Sequence, residues 1–529
     1  MDGPVGRPFP DECEAALRDL AASVDRLTPR RVQAVLRRHP RPDGGLFSRD
    51  QLLRAYHHLC DAGRMTFDPQ LAKHLRRKPT RTISGVAPVT VLTGPQPCRG
   101  TCIYCPDIAN APKSYLPDEP GVQRAIRFAY DPFDQTAGRI RAFRNIGHAT
   151  DKVELLILGG TWSDYPVDYQ EWFVHRCLEA MNEAEAETLE AAQRANETAP
   201  HRNVGLVIET RPDCITLEEV RRLRRLGVTK VQLGLQSLDD RILSLNRRGH
   251  TVGVTRAAIR HLRLAGFKIV AHWMPNLLGA TRESDLADFR RLWDDTALRP
   301  DELKIYPCLL LEGTELHNLW QEGEYQPYDE ETLIGLLTTC KTLIPSYCRV
   351  NRLMRDIPAP DIVAGVARSN LRQIIQERMA RGEEMVCRCI RCREVRGTPV
   401  DTDALRLAVT SYETDATMEH FLAYETPDHH LAGFLRLSLP RVKPEIEALH
   451  GCGMVRELHV YGPALALGAR RDGPPQHAGL GTGLLERAVV MTRDAGYSRL
   501  AVIAAVGTRE YYRERGFELE ETYMVRAEL

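Results

Sequence analysis

With 529 residues, 43% of them hydrophobic and 27% charged, the chain exceeds one ordinary domain and carries enough apolar side chains for several buried cores. Lys and Arg (71) cancel Asp and Glu (71), which excludes a global field for a polyanion and confines any nucleic-acid surface to a local patch. No run approaches the roughly 18 apolar residues of a membrane helix, and the start MDGPVGRPFPDECE has no basic-then-apolar leader. Two tight clusters stand out among the 14 cysteines, which favours metal ligation in a reducing compartment over a disulfide framework. The chain reads as cytoplasmic, with no membrane contact.

Residues 1–80 read as helical and end in a basic run, Lys73, Arg76, Arg77, Lys78 and Arg81. Taken alone, such a run is a solvated helix face; beside a domain that handles RNA it becomes a phosphate-contacting patch. Over 81–345 short apolar runs alternate with amphipathic stretches. The runs are PVTVLT from Pro88, VELLIL from Val153, VGLVIE from Val204, KVQLGL from Lys230, KIVAH from Lys268 and ELKIY from Glu302. Between them lie helical patterns such as LEEVRRLRRLG and TRAAIRHLRLAG, each closed by a glycine. Repeated β-then-α units with near-continuous Val, Ile and Leu predict an α/β fold with a parallel sheet buried on both faces. We read it as an incomplete six-unit barrel. Residues 346–400 form a connector holding CRCIRCREV, and 401–529 read as a separate α+β domain of antiparallel strands and one long helix.

Cys98, Cys102 and Cys105 lie in C-x3-C-x2-C spacing directly after the first strand. Three thiolates on one loop can hold three irons of a 4Fe–4S cluster and leave the fourth open to a chelating ligand; zinc with a distant fourth ligand is the alternative. In a βα barrel the working groups sit at the carboxyl ends of the strands. Those ends carry Gly159, Gly160, Glu209, Arg211, Gln236, His272 and Tyr306-Pro307-Cys308. The second cluster, Cys387, Cys389 and Cys392, suits a closed tetrahedral zinc site. Cys308 is the expected fourth ligand, with Cys340 and Cys348 as alternatives. In the last domain Gln476-His477-Ala478-Gly479-Leu480-Gly481 opens the long helix, where glycines let backbone N–H groups approach a pyrophosphate.

The cysteine loop with its polar strand ends resembles the radical S-adenosylmethionine (SAM) superfamily, and the C-terminal order resembles GNAT-type acetyltransferases. Together with RKPTRTISGVAPV, RAIRFAYDPFDQT, DKVELLILGGT, NRRGHT, KIVAHWMPNL, RVNRLMRDIP, RELHVYG and VGTREYYRERGF, the chain from about Leu75 onward resembles the catalytic subunit of Elongator. The resemblance implies a 4Fe–4S cluster on Cys98, Cys102 and Cys105, with SAM held by Gly159, Gly160 and the strand-end polar groups. It places Glu457, Leu458, His459, Val460, Leu480, Gly481, Thr482 and Tyr512 along acetyl-CoA. Tyr511 and Tyr512 fall near the thioester and Lys152 on the acetyl-transfer path. The implied activity is acetyl-CoA-dependent carboxymethylation of C5 of the wobble uridine in a tRNA anticodon stem-loop. A tRNA-binding scaffold without radical chemistry and a protein-lysine acetyltransferase are the competing readings. A homodimer and further subunits stay open.

Overall fold

The computed structural model describes residues 9–75, 82, 84–368, 370–382, 385–396, 400–461 and 479–529. The basic residues of 76–81 and Gln476 lie outside them, as does the side chain of Lys73. The N-terminal helices Asp11–Ala21, Pro29–Arg38, Arg49–Asp61 and Pro69–Leu75 close on a core of their own, built from Leu17, Leu20, Val35, Leu52, Tyr56 and Leu71. Among the described residues no helix is long and apolar enough to cross a membrane.

The central sheet is parallel throughout. Its strands are β1 (Ala87–Leu92), β2 (Lys152–Leu158), β3 (Arg202–Thr210), β4 (Lys230–Gln236), β5 (Lys268–Trp273), β6 (Glu302–Ile305) and β7 (Arg349–Arg352), paired in that order. The six expected strands are present, and β7 is a seventh. Its sequence, RVNR, is short and polar because it borders an open interior instead of a packed layer. Strand β2 shows the same division. Val153, Leu155 and Ile157 are buried under the outer helices, while Glu154, Leu156 and Leu158 face the barrel interior and stay half-buried. Gly227 and Gly266 close their helices in the left-handed region, as the sequence predicts.

The C-terminal sheet contains β8 (Arg406–Glu413), β9 (Thr417–Glu425), β10 (Leu431–Pro440), β11 (Cys452–Val460), β12 (Arg499–Val502), β13 (Glu518–Glu520) and β14 (Tyr523–Ala527). Its order is β8-β9-β10-β11-β12-β14-β13; only the β11–β12 pair is parallel. The helix Leu480–Asp494 covers one face over Leu435, Leu437, Val455 and Leu500.

This sheet docks against the amino end of the barrel through buried polar contacts. Arg456 on β11 donates to both carboxylate oxygens of Asp301, at 2.8 and 2.5 Å, to the Phe267 carbonyl at 2.8 Å and to Glu419 at 3.1 Å. Asp301 also accepts from the backbone N–H of Ile269, so it ties the β5 and β6 segments to the second domain. Burial alone would raise its carboxyl, but Arg456, Arg436 and Arg263 outweigh that and hold it far below the usual carboxylate range. Tyr523 donates to the Ala265 carbonyl at 3.0 Å, and Arg509 and Arg513 share Glu197.

Asp301→Asn takes from Arg456 its bidentate carboxylate and leaves Glu419 as a one-sided counter-charge; it is expected to cost about 3–5 kcal/mol of stability, read from chemical denaturation. The folded carboxyl titrates below the unfolded one, near about 3.9. The Asp301 contribution is therefore complete above that pH and fades as pH falls toward the folded value. A pH titration of stability should show this acid-side loss in the wild type and lack it in Asp301→Asn.

Candidate active site

The loop after β1 brings Cys98, Cys102 and Cys105 beside the carboxyl ends of β2, β3 and β4. Cys98 Sγ accepts from the Gly100 N–H at 3.3 Å and lies 3.5 Å from the Thr161 hydroxyl. Cys102 Sγ accepts from Arg248 at 3.5 Å, and Arg211 donates to the Arg248 carbonyl at 2.6 Å while gripping Asp213. Burial pushes the Cys102 thiol up, but Arg248 and Arg211 outweigh it and hold it below its ordinary value. Cys105, without such a partner, is pushed up to about 12 by burial. Gly159 sits at φ +136°, where a Cβ would come within 1.9 Å of the Thr93 hydroxyl. The rim therefore closes down on β1 only with glycine there. Gly160, at φ +102°, packs on the Lys113 carbonyl.

Beside the cysteine loop the barrel interior encloses about 790 Å³, walled by Tyr104, Cys105, Glu209, Gln236, His272 and Tyr306 among others. Tyr115 donates to Glu209 at 3.1 Å. Gln236 is held at φ +69°, and its buried Oε1 has no protein partner among the described residues. A non-glycine residue held in the left-handed region with an orphaned acceptor is a mark of a ligand site. His272 shares Gln232 with Lys304; burial, reinforced by Lys304, holds its imidazole neutral, well below the ordinary histidine value. The donor set fits a 4Fe–4S cluster: three thiols on one loop, cationic and N–H donors to two sulfurs, and open volume on the remaining side. They are not drawn together around one small ion, in contrast to Cys387, Cys389 and Cys392. Those three are the only metal-type group among the described residues with ligand atoms all within 4.8 Å.

The expected zinc ligand Cys308 does not join that group. The β6 end turns its thiol into an apolar cluster with Ile103, Leu310 and Tyr325, on the wall of the barrel cavity. Cys348 is nearer the cysteine group: its carbonyl accepts from the Ile390 N–H at 2.9 Å. The Lys341 ammonium stands 3.6 Å from Cys392 Sγ.

In the second domain β11 and β12 pair only from Cys452↔Arg499 to Val455↔Val502 and then diverge. The wedge between them forms a second cavity of about 220 Å³, lined by Glu457, Leu458, His459, Ala504 and Tyr512. Val460 pairs with Gly433 at its edge. His459 stacks on Phe434 and meets the tilted ring of Tyr461, with a buried Nε2 that has no partner among the described residues, and burial holds its imidazole down at about 4. Gly479, at φ +97°, starts the helix, and Leu480 and Gly481 form its first turn. A Cβ on Gly481 would meet the Tyr511 hydroxyl at 2.9 Å and Val460 and Leu458 beyond it, so Tyr511 and the end of β11 approach the bare backbone of this turn. Tyr512 is buried on the wedge wall. Tyr511 is half-buried under the Arg515 guanidinium, which reaches Thr482. Lys152 begins β2 beside Arg202 and lines neither cavity.

Sequence reasoning singled out neither Arg248 nor Lys304. Arg248 lies within NRRGHT, a stretch with the polar density of a turn, and nothing local distinguishes it from its neighbour Arg247, which is exposed and pairs with Glu315. Only the folded barrel turns Arg248 inward.

A Radical SAM superfamily model matches residues 96–291 and a Radical_SAM C-terminal domain model matches residues 300–381. The tRNA uridine(34) acetyltransferase of Dehalococcoides mccartyi is 45% identical over 460 residues, spanning 85% of this chain and 99% of that protein. The Elongator complex protein 3 of Danio rerio is 37% identical over 480 residues, spanning 86% of each. The chain belongs to the Elongator complex protein 3 family. A solved structure of the family, archaeal Methanocaldococcus infernus Elp3 lacking its N-terminus, superposes with a TM-score of 0.73 at 38% identity, covering 84% of this chain and all of that one. The Radical SAM superfamily match thus covers the cysteine loop and much of the wall of the barrel cavity. That domain type implies a 4Fe–4S cluster and SAM.

Gly159→Ala is expected to lower stability by about 1–3 kcal/mol through backbone strain and to reduce iron uptake on anaerobic reconstitution. Thr93→Ala in the same chain removes the clashing hydroxyl and should restore part of both, measured by denaturation and iron content.

Proposed function

We propose that the protein is a tRNA uridine-34 acetyltransferase that joins the acetyl unit of acetyl-CoA to C5 of the wobble uridine. The observation that carries this reading is the pairing of sites. A thiol loop suited to a 4Fe–4S cluster opens into the barrel cavity, and a glycine-opened wedge suited to a pantetheine arm opens toward the same barrel from the second domain.

With SAM bound, a reduced cluster supplies a 5′-deoxyadenosyl radical, which suits a methyl group too weakly acidic for a side-chain base. The chain's own residues prepare the site. Arg248 and Arg211 favour the Cys102 thiolate for iron. Glu209 and Gln236 offer acceptors to the amino and ribose groups of SAM. Neutral His272, fixed by Gln232, adds no positive charge beside a sulfonium. Leu480, Gly481 and Thr482 bring the first-turn N–H groups to the pyrophosphate. The β11 edge from Glu457 to Val460, beyond its β12 pairing, offers backbone groups to the amides of the arm. Tyr512, on the wedge wall, flanks the arm on its way to the barrel. Lys152, at the foot of β2, is better placed for a substrate arriving from outside than for either cavity. The uridine must be unstacked to enter, and the anticodon stem-loop presents such a base. We further assign zinc to Cys387, Cys389 and Cys392, fastening the connector to the barrel.

Anaerobic incubation with SAM, acetyl-CoA, a strong reductant and unmodified tRNA should give 5-carboxymethyluridine at position 34 together with 5′-deoxyadenosine. Cys102→Ala should abolish both, and failure of the wild type to form the modified uridine would refute the reading. Metal analysis should find about one zinc per chain beside the iron. Cys389→Ser should lose that zinc and keep the iron–sulfur chromophore.

A further inference from the structure

The two cavities adjoin. They share six wall residues, Ser84, Val86, Glu154, Lys230, Glu302 and Arg349. All six lie at the amino ends of the barrel strands: Ser84 and Val86 shortly before β1, Glu154 near the start of β2, and Lys230, Glu302 and Arg349 opening β4, β6 and β7. A packed βα barrel fills this level with branched apolar side chains. Here it is floored by charge. Lys230 lies 2.7 Å from Glu154 and 3.3 Å from Glu302, and Asn351 donates to Glu302 at 2.6 Å. Lys268 bridges Glu302 at 3.7 Å and Glu457 of the second domain at 2.5 Å. Arg436 pairs with Glu457 at 2.9 Å, and Arg349 pairs with Glu394.

Such a network does not stabilise the fold better than leucine and valine in the same space. What it provides is a wall that stays wetted and, acid matched by base, carries little net charge. The wedge between β11 and β12 discharges at this floor, because Glu457 belongs both to the wedge and to the network.

We propose that the acetyl-bearing pantetheine arm of acetyl-CoA threads from the wedge through the barrel floor, between Val86 and Lys230, into the cavity beside the cysteine loop. The inference rests on the acetyl-CoA reading above and adds the route. Lys230 and Lys268 are positioning residues of this passage: their carboxylate partners span it, and an uncharged arm slips past a wall with no unpaired ion to hold it.

Bromoacetyl-CoA tests the route directly, because its reactive carbon occupies the place of the acetyl methyl. In a Val86→Cys variant of the full chain the new thiol should displace bromide and acquire the CoA adduct, seen by peptide mass spectrometry and suppressed by excess CoA. Failure of the residue-86 thiol to react, while free cysteine in solution does, would overturn the route. Val86→Trp should plug the floor and Ser84→Phe should do so independently. Modified uridine should fall by at least about tenfold, with SAM cleavage unchanged. Wild-type product yield from the plugged variants would also overturn it. The labelling needs neither iron nor tRNA. Labelled residue 86 with no modified uridine from the wild type would therefore sustain the route and refute the reaction instead.

Discussion

The Asp301–Arg456 contact is the constraint from which the arrangement of the sites follows. Asp301 precedes β6 and accepts the Ile269 N–H, so it is fixed to the barrel floor; Arg456 is fixed in the middle of the second sheet. A bidentate guanidinium–carboxylate pair tolerates little rotation. Once it forms, β11 crosses the amino end of the barrel, its next residue Glu457 falls on Lys268, and its last residues line a wedge that faces the barrel. Moving this one pair would carry the wedge away from the floor.

The barrel divides its labour by face. Outward residues such as Val153, Leu155, Ile157, Val231 and Ile269 pack under the helices and supply the stability. Inward residues include apolar ones such as Leu156 and Leu158, but many are charged or polar and supply little. Glu154, Gln232, Lys230, Glu302 and Lys304 occupy positions where apolar side chains would close the interior. That interior is kept open at a cost in packing, which is the ordinary trade at a working site.

Local electrostatics separates the two cysteine groups in the same way. Cys102 is held by Arg211, just after β3, and Arg248, after the helix Asp240–Leu245, on a loop whose sulfurs are spread. Cys387, Cys389 and Cys392 converge within 4.8 Å with one ammonium nearby. Spread thiols suit a cluster, and converged ones suit a single ion. The spacings C-x3-C-x2-C and C-x-C-x2-C hint at this difference without deciding it.

Sequence by itself determined the parallel barrel, the antiparallel second domain, the glycine caps and the two cysteine loops. These follow from periodicities and spacings within a few residues, which local sterics and burial enforce. It also pointed to Gly159, Gly160, Glu209 and Gln236, because strand ends can be counted along the chain. The tertiary structure alone decided the rest. RVNR became β7 only because Glu302 to Lys304 lay beside it. Cys308 turned away from the other thiols because the β6 end points into the barrel. Arg248 and its exposed neighbour Arg247 have the same chemistry and opposite fates. The adjoining of the two cavities depends on Glu154, Lys230, Lys268, Glu302 and Glu457, separated by up to three hundred positions, and no local pattern links them. A charged residue in sequence carries no mark of the partner it will find, since that partner is supplied by packing of distant elements.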